Sequence, residues 1–195
     1  MELSPRQVVS MGPTDSYGPP TYRPAVLADA NRLAEVHIRV LMVAYRGIDP
    51  QEWLDSLPQQ LGERQARWKD RLTNLLNEPV HVAEVEPAGV VGFAVGGRAR
   101  GEPPIGYEGE LISIYLLPEH QRKGIGRELV RRVARSLIDA GGQGMLVRVL
   151  SANPARLFYE RLGARSLGID TVSIGGQELE ETVYGWSSID LYFPP

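Results

Sequence analysis

The sequence predicts an α+β fold of three layers, with helices flanking one mixed, mostly antiparallel sheet. Three observations carry that prediction. Apolar periodicities of two and of 3.6 residues alternate in the order strand, two helices, strand hairpin, then strand-helix-strand-helix-strand-strand. Met145 to Leu150, strongly strand-prone, directly follows an amphipathic helix that itself follows the strand Glu110 to Leu117. Such a crossover is right-handed and makes the two strands parallel. Finally, a hydrophobic content of 43% in 195 residues supplies the core of one domain.

Taken in order, residues 1–20 contain Pro5, Pro13, Pro19, Pro20, Gly12 and Gly18 without periodicity, and read as a flexible lead-in to a single domain at 21–195. Thr21 to Pro24 is a short strand. Asp29 starts a helix to about Ala44, in which Leu33, Val36, Val40 and Val43 mark one buried face; His37 lies beside that face as a packed or capping residue. Tyr45 to Pro50 breaks the helix, and Trp53 and Leu54 pack a short turn. A second long helix is expected from about Pro58 to Asn77, with Trp68, Leu72, Leu75 and Leu76 on one side. Val80 to Val85 and Val90 to Gly97 form a hairpin about Glu86-Pro87-Ala88-Gly89. Arg98 to Gly109 is a Gly- and Pro-rich loop. After the strand at Glu110, a helix runs from Gly126 to Ala140. Leu129, Val133 and Leu137 stack on it beside Val130, Ala134 and Ile138, and Gly141-Gly142 ends it. Asn153-Pro154 opens a short helix packed by Ala155, Leu157, Phe158 and Leu162 and stopped by Gly163. Ala164 to Val172 and Glu181 to Tyr192 are the last strands, joined at Ile174-Gly175-Gly176-Gln177.

Composition narrows the function. Net charge is −3, yet Arg122, Lys123, Arg127, Arg131, Arg132 and Arg135 place six positive charges in fourteen residues. A basic cluster on a mildly acidic chain points to a local anion site rather than a nucleic-acid-binding face. With no cysteine, disulfides, thiolate-zinc sites and thiol nucleophiles are excluded. The three histidines, His37, His81 and His120, have no metal-ligand spacing. No apolar run approaches the length of a membrane span and no secretory h-region is visible. A cytoplasmic protein without a metal is expected.

The candidate anion site is Gln121 to Gly126. There a strand ends at Pro118, Gly124 and Gly126 let backbone approach a ligand, and a helix begins with unpaired N–H groups at the positive end of its dipole. A Walker loop would need Ser or Thr after Gly-Lys, and a dinucleotide fingerprint a third glycine where Leu129 stands.

Gln121-Arg122-Lys123-Gly124-Ile125-Gly126, preceded by Ile-Tyr-Leu-Leu-Pro-Glu-His, resembles the Gln/Arg-x-x-Gly-x-Gly/Ala loop of the GNAT superfamily of acyl-CoA-dependent N-acetyltransferases. Asn153 to Gly163 resembles a second motif of that superfamily, Asn-x-x-Ala-x-x-Phe-Tyr-x-x-x-Gly. Here Ala152 stands where the family Asn usually does, and Asn153 is one residue late, as a displaced equivalent or simply a helix cap. The likeness covers about Tyr22 to Leu191, including Ala44-Tyr45-Arg46-Gly47 and Tyr184-Gly185-Trp186.

The resemblance implies a splayed parallel strand pair with acetyl-CoA lying across the opening. Backbone at Ile114, Tyr115 and Leu116 would pair with the pantetheine arm. Amides from Arg122, Lys123, Gly124, Ile125, Gly126 and Arg127 would hold the pyrophosphate, and Asn153 is a further candidate contact. Tyr159 is the implied general acid at the thiolate. Glu110 is the candidate base, expected to share a face with Ile112 and Ile114 and to have a proton affinity raised by burial, with Glu108 as fallback. Tyr45, Asp49, Glu52 and Trp53 are placed on the acceptor side. The implied activity is transfer of acetyl from acetyl-CoA to a primary amine in a ternary complex. A non-catalytic acyl-CoA sensor of the same fold, or transfer of a longer acyl group, stays open, as does a homodimer.

Overall fold

A computed structural model describes residues 17–74 and 78–194; the lead-in at 1–16 and the expected helix positions Leu75, Leu76 and Asn77 lie outside the described residues. β1 (Thr21–Pro24) leads through one 3₁₀ turn into α1 (Ala30–Ala44). Asp29 fixes that entry, accepting the Val26 N–H at 2.8 Å and two guanidinium N–H groups of Arg23 at 2.7 and 2.9 Å. The expected single helix from Pro58 is divided. α2 (Gln51–Ser56) and a 3₁₀ turn (Leu57–Gln60) come first, and α3 (Leu61–Thr73) follows. Pro58 sits in the first turn of that 3₁₀ segment, where its missing N–H is not required.

β2 (Val80–Val85), β3 (Gly89–Arg98) and β4 (Gly109–Leu116) form an antiparallel meander. α4 (Ile125–Asp139) crosses to β5 (Met145–Leu150), and α5 (Arg156–Arg161), β6 (Arg165–Ile174), β7 (Gln177–Trp186) and the one-turn α6 (Ile189–Tyr192) complete the chain. The last strand therefore starts four residues earlier and ends six earlier than its apolar pattern indicates. Gly175 and Gly176, both at positive φ, make a two-residue turn that pairs Ile174 with Gln177. The outer half of this hairpin is largely solvent-exposed and so lacks the apolar signal that marks a strand.

The seven strands form one sheet in the order β1-β2-β3-β4-β5-β7-β6. β4 and β5 are its parallel pair, matched only over Gly109↔Met145, Glu110↔Leu146 and Leu111↔Val147. At that point β4 bulges. Gly96 opposes Leu111 and Val95 opposes Ser113, so Ile112 has no partner on β3. Beyond the bulge β4 continues with β3 and parts from β5.

The two sheet faces pack differently. On one, the Trp68 ring of α3 meets Phe93 edge-on at 4.9 Å, and His37 of α1 approaches Phe93 at 6.0 Å. On the other, Leu129, Val130, Val133 and Ala134 of α4 are fully buried against the sheet. Trp186 anchors the far end, donating its indole N–H to the Leu162 carbonyl at 2.9 Å while its ring lies 5.5 Å from Phe193. Gly96 permits the close approach of α4, since a Cβ there would stand 2.5 Å from Val133 Cγ1.

Gly96→Ala is expected to wedge α4 from the sheet and to cost about 1–3 kcal/mol, as overpacking of a filled core does. Urea unfolding checks this: the midpoint falls with unchanged slope. An unchanged midpoint would show that Val133 yields freely.

Candidate active site

The loop after β4 is built to present backbone N–H groups. A 3₁₀ turn at Pro118–His120 reverses the chain. Arg122 (φ 63°) and Gly124 (φ 82°) then take left-handed conformations; Arg122 is the one non-glycine among the described residues to do so. Among the described residues, the amides from Arg122 to Arg127 donate to no backbone carbonyl. Gln121 ties the loop to the strand by donating its side-chain amide to the Leu116 carbonyl at 3.0 Å. Strained backbone, free amides and a helix N-terminus together make a concave backbone surface, a cradle of the kind that suits an anion.

The basic cluster is partly self-neutralised. Arg131 and Arg132 donate to Glu128 at 2.8 and 2.9 Å, and Arg132 also lies over the Tyr22 ring. Lys123 sits 5.5 Å from the Tyr17 ring centre. Arg122, Lys123 and Arg127 extend from the cradle into solvent.

Between β4 and β5 the sheet is open. Past Leu111, one side of the β4 backbone at Ile114, Tyr115 and Leu116 lacks a strand partner, which leaves amide groups in mid-sheet for a ligand to pair with. The side chains there segregate by face. Tyr115 opposes Phe93 and shares its face, and its ring lies 4.3 Å from His37. Burial first, then the neighbouring Tyr45 and Tyr159, pushes the Tyr115 hydroxyl pKa far up, with Arg64 opposing. Tyr159 is 6% exposed, and burial, helped by Tyr45, likewise raises its pKa. Both hydroxyls therefore keep their protons at neutral pH and can donate. Phe158, next to Tyr159 on α5, closes over the cradle; a Cβ on Gly126 would lie 3.4 Å from its ring.

Two expectations about Glu110 need correction. The unpaired Ile112 shifts the alternation by one residue, so Glu110 shares a face with Ser113 and Tyr115, not with Ile114. Its proton affinity is lowered rather than raised. Burial alone would raise it, but the Arg100 side chain, the Arg100 N–H at 2.9 Å and Arg148 together overcome that. Arg100 grips the carboxylate through Nε at 3.1 Å and through Nη2, and Arg148 reaches it at 3.4 Å. Fully buried yet held ionised, Glu110 anchors two arginines. Arg148 in turn lies 3.7 Å from Glu181 on β7 and 3.7 Å from Asp170 on β6. An arginine inside the apolar strand Met145–Leu150 was the sequence signal for this network. Nothing marked Arg100.

Asn153 is 4% exposed, and its side-chain oxygen accepts the Ala155 N–H at 2.8 Å, which makes it a cap for the turn into α5. Burial and then Asp49 raise the Tyr45 pKa, and the Asn153 side chain opposes them. The acceptor side is closed by contact between two loops. The Asp49 N–H donates to the Tyr45 carbonyl at 3.0 Å, and a Cβ on Gly175, at the β6–β7 tip, would lie 3.3 Å from Pro50 and 3.4 Å from Trp53. Of the residues expected on the acceptor side, Tyr45 and Asp49 lie together at this contact, joined by that hydrogen bond. Trp53 packs against Ile38, Leu41, Leu54 and Leu57, Glu52 is exposed, and Glu108 lies outside, at the opposite end of the sheet by Gly141.

The chain is similar to known acetyltransferases in sequence and in fold. Residues 99–171 match the family model described as FR47-like protein. An N-acetyltransferase of Bacillus subtilis (strain 168), YuaI, is 37% identical over 169 residues, covering 87% of this chain and 94% of its own. YncA, an acetyltransferase of Salmonella typhimurium solved with its cofactor acetyl-CoA, superposes with a TM-score of 0.64 at 26% identity, covering 89% of this chain and 95% of its own. A GNAT-family acetyltransferase of Desulfovibrio desulfuricans superposes with a TM-score of 0.66 at 19% identity, over 88% of this chain and 99% of its own. Among the described residues no helix is long and apolar enough to cross a membrane.

His37, stacked on Tyr115, generates a pH prediction. Burial, reinforced by Arg64 and Arg71, depresses its pKa from 6.5 to about 3. Both states are neutral at this group above pH 6.5. Between pH 6.5 and 3 the unfolded chain binds a proton that the folded chain refuses, so stability falls as pH falls. His37→Phe is expected to flatten that slope in urea titrations between pH 7 and 4. An unaltered slope would place the acid sensitivity elsewhere.

Proposed function

The chain belongs to the GNAT superfamily of N-acetyltransferases, and from that premise we propose how its cleft transfers acetyl from acetyl-CoA to a primary amine in a ternary complex. The observation that carries the reading is the parting of β4 from β5, with free loop amides at its mouth and protonated tyrosines on the acceptor-side face. The amides from Arg122 to Arg127 hold the pyrophosphate, and the exposed Arg122, Lys123 and Arg127 meet the remaining phosphate. The pantetheine arm pairs with β4 at Ile114, Tyr115 and Leu116 in place of the missing strand, and a β4 amide polarises the thioester carbonyl.

Held in line, the two substrates gain proximity, which turns a bimolecular step into an effectively unimolecular one. Tyr159 gives a proton to the departing thiolate; burial keeps its hydroxyl protonated at neutral pH, so the proton is in place when the carbon–sulfur bond breaks. Asn153 fixes the start of α5 and steadies Tyr45. Glu110 is a positioning residue that fixes Arg100 and Arg148 at the floor of the acceptor chamber. We further propose a cytoplasmic enzyme acting on a small-molecule, peptide or protein amine, without a metal, a nucleic acid or a membrane as partner, and assembled as a homodimer.

Release of CoA thiol from acetyl-CoA tests the function against spermidine, kanamycin, lysine, glycinamide and a peptide with a free N-terminus. At least one amine is expected to release thiol. Acetyl-CoA binding with no amine turned over would overturn the catalytic reading. With an active amine, Tyr159→Phe is expected to lower kcat roughly 10²–10⁴-fold, the range for loss of a general acid, while acetyl-CoA affinity holds. An unchanged kcat would remove Tyr159 from the mechanism.

A further inference from the structure

We propose that the Asp49 carboxylate binds the acceptor as its ammonium ion and takes the proton that must leave before nitrogen can attack. The proposal rests on the acetyl-transfer reading above and adds the recognition group for the second substrate. A primary amine with an ordinary pKa near that of lysine is free base in only about one part in 10³ at neutral pH, so the chamber needs a proton acceptor. Glu110 is spoken for by Arg100 and Arg148. Asp49 is not: its residue is 6% exposed, and its Oδ1 is buried without a hydrogen-bond partner among the described residues.

A native fold seldom leaves a buried carboxylate oxygen unpartnered, because the group loses water and gains nothing in return. An incoming ammonium supplies that partner, with the charge-assisted hydrogen bond that the site otherwise lacks. Burial alone raises the Asp49 pKa, which makes the carboxylate a better proton acceptor than an exposed one. The groups around it are compatible. Tyr45 from the end of α1 and Tyr115 from β4 both feel its charge, and Tyr159 of α5 acts on Tyr115 in turn. Glu181 of β7 also acts on Tyr45, but Arg148 lies 3.7 Å from its carboxylate. Arg64 of α3 acts on Tyr115 and His37, not on Asp49. Arg46 and Glu52, on the same loop and on α2, are exposed.

The step balances. Asp49 takes one proton from the ammonium. The freed nitrogen lone pair forms the bond to the thioester carbon as the carbonyl electrons move to oxygen. When the carbonyl re-forms, the carbon–sulfur bond breaks. Tyr159 passes its proton to sulfur and recovers the second proton of the nitrogen, and Asp49 releases its proton to solvent. Ammonium and acetyl-CoA become the acetamide, CoA thiol and one proton.

Asp49→Asn, nearly isosteric, separates the possibilities when assayed with the fastest amine of the panel above. The expected result is a kcat/KM for amine reduced roughly 10²–10⁴-fold at pH 7, unchanged acetyl-CoA affinity by calorimetry, and a rate that recovers as pH rises toward the pKa of the amine. Asp49→Glu is expected to restore part of the rate with the wild-type pH profile. If wild type turns over no amine, methylammonium is titrated into the acetyl-CoA-loaded protein by amide NMR. Shifts confined to the loop at 45–50, absent in Asp49→Asn and in Asp49→Ser, then support the ammonium seat by themselves. Asp49→Asn within threefold of wild type at every pH, or methylammonium shifts that persist in the variants, would overturn the proposal while leaving acetyl transfer intact.

Discussion

The site depends on one backbone event, the bulge at Ile112. A parallel pair that continued past Leu111 would satisfy every amide of β4 and leave a closed sheet. The extra residue instead carries β4 away from β5 after three matched positions, and the structure around it keeps the gap open. β3 holds β4 on one side, β7 holds β5 on the other, and α4 spans the base. The unpaired backbone this creates would be costly in a closed core. It is stable here because the gap admits water or a ligand carrying amides of its own.

The same event sorts the chemistry by face. On one side of the opening, the loop from Gln121 and the start of α4 present free N–H groups, and Phe158 closes over Gly126. On the other, Tyr115, Tyr159 and Tyr45 converge with Asp49, and the β6–β7 tip meets the α1–α2 corner. The two sides therefore differ in chemistry, free N–H groups on one and tyrosine hydroxyls with a buried carboxylate on the other. A chain without cysteine lacks a thiol to carry a covalent acyl-enzyme intermediate.

Much of this was legible in the sequence because backbone features leave local marks. Gly124 and Gly126 before Leu129, Val130 and Val133 spell a cradle and an amphipathic helix, and Met145 to Leu150 following that helix spells the parallel pair. The Phe158-Tyr159 motif identified the donor. What was not legible came from long-range electrostatics and from single-residue register. Ile112 looks like any strand residue, yet its bulge moved Glu110 to the other face. Arg100 lies in a Gly- and Pro-rich loop that shows no pattern, yet it turned the candidate base into half of an ion pair. Asp49 could be placed near the acceptor but not seen to be unpartnered, since that depends on Tyr45, Tyr115 and Pro50 closing around it. The last hairpin and its turn were legible, but the strand ends at 173–174 and 177–180 were not, because strands exposed on both faces carry no alternation.

In the proposed complex, acetyl-CoA replaces the missing strand partner of β4. Amide hydrogen exchange with and without saturating acetyl-CoA measures this directly. The account predicts new protection at Ile114 to Leu116 and at Arg122 to Arg127, with β1 and β2 unaltered. Protection that is absent from β4, or that appears instead in the groove between Pro79 and Gly141, would contradict it.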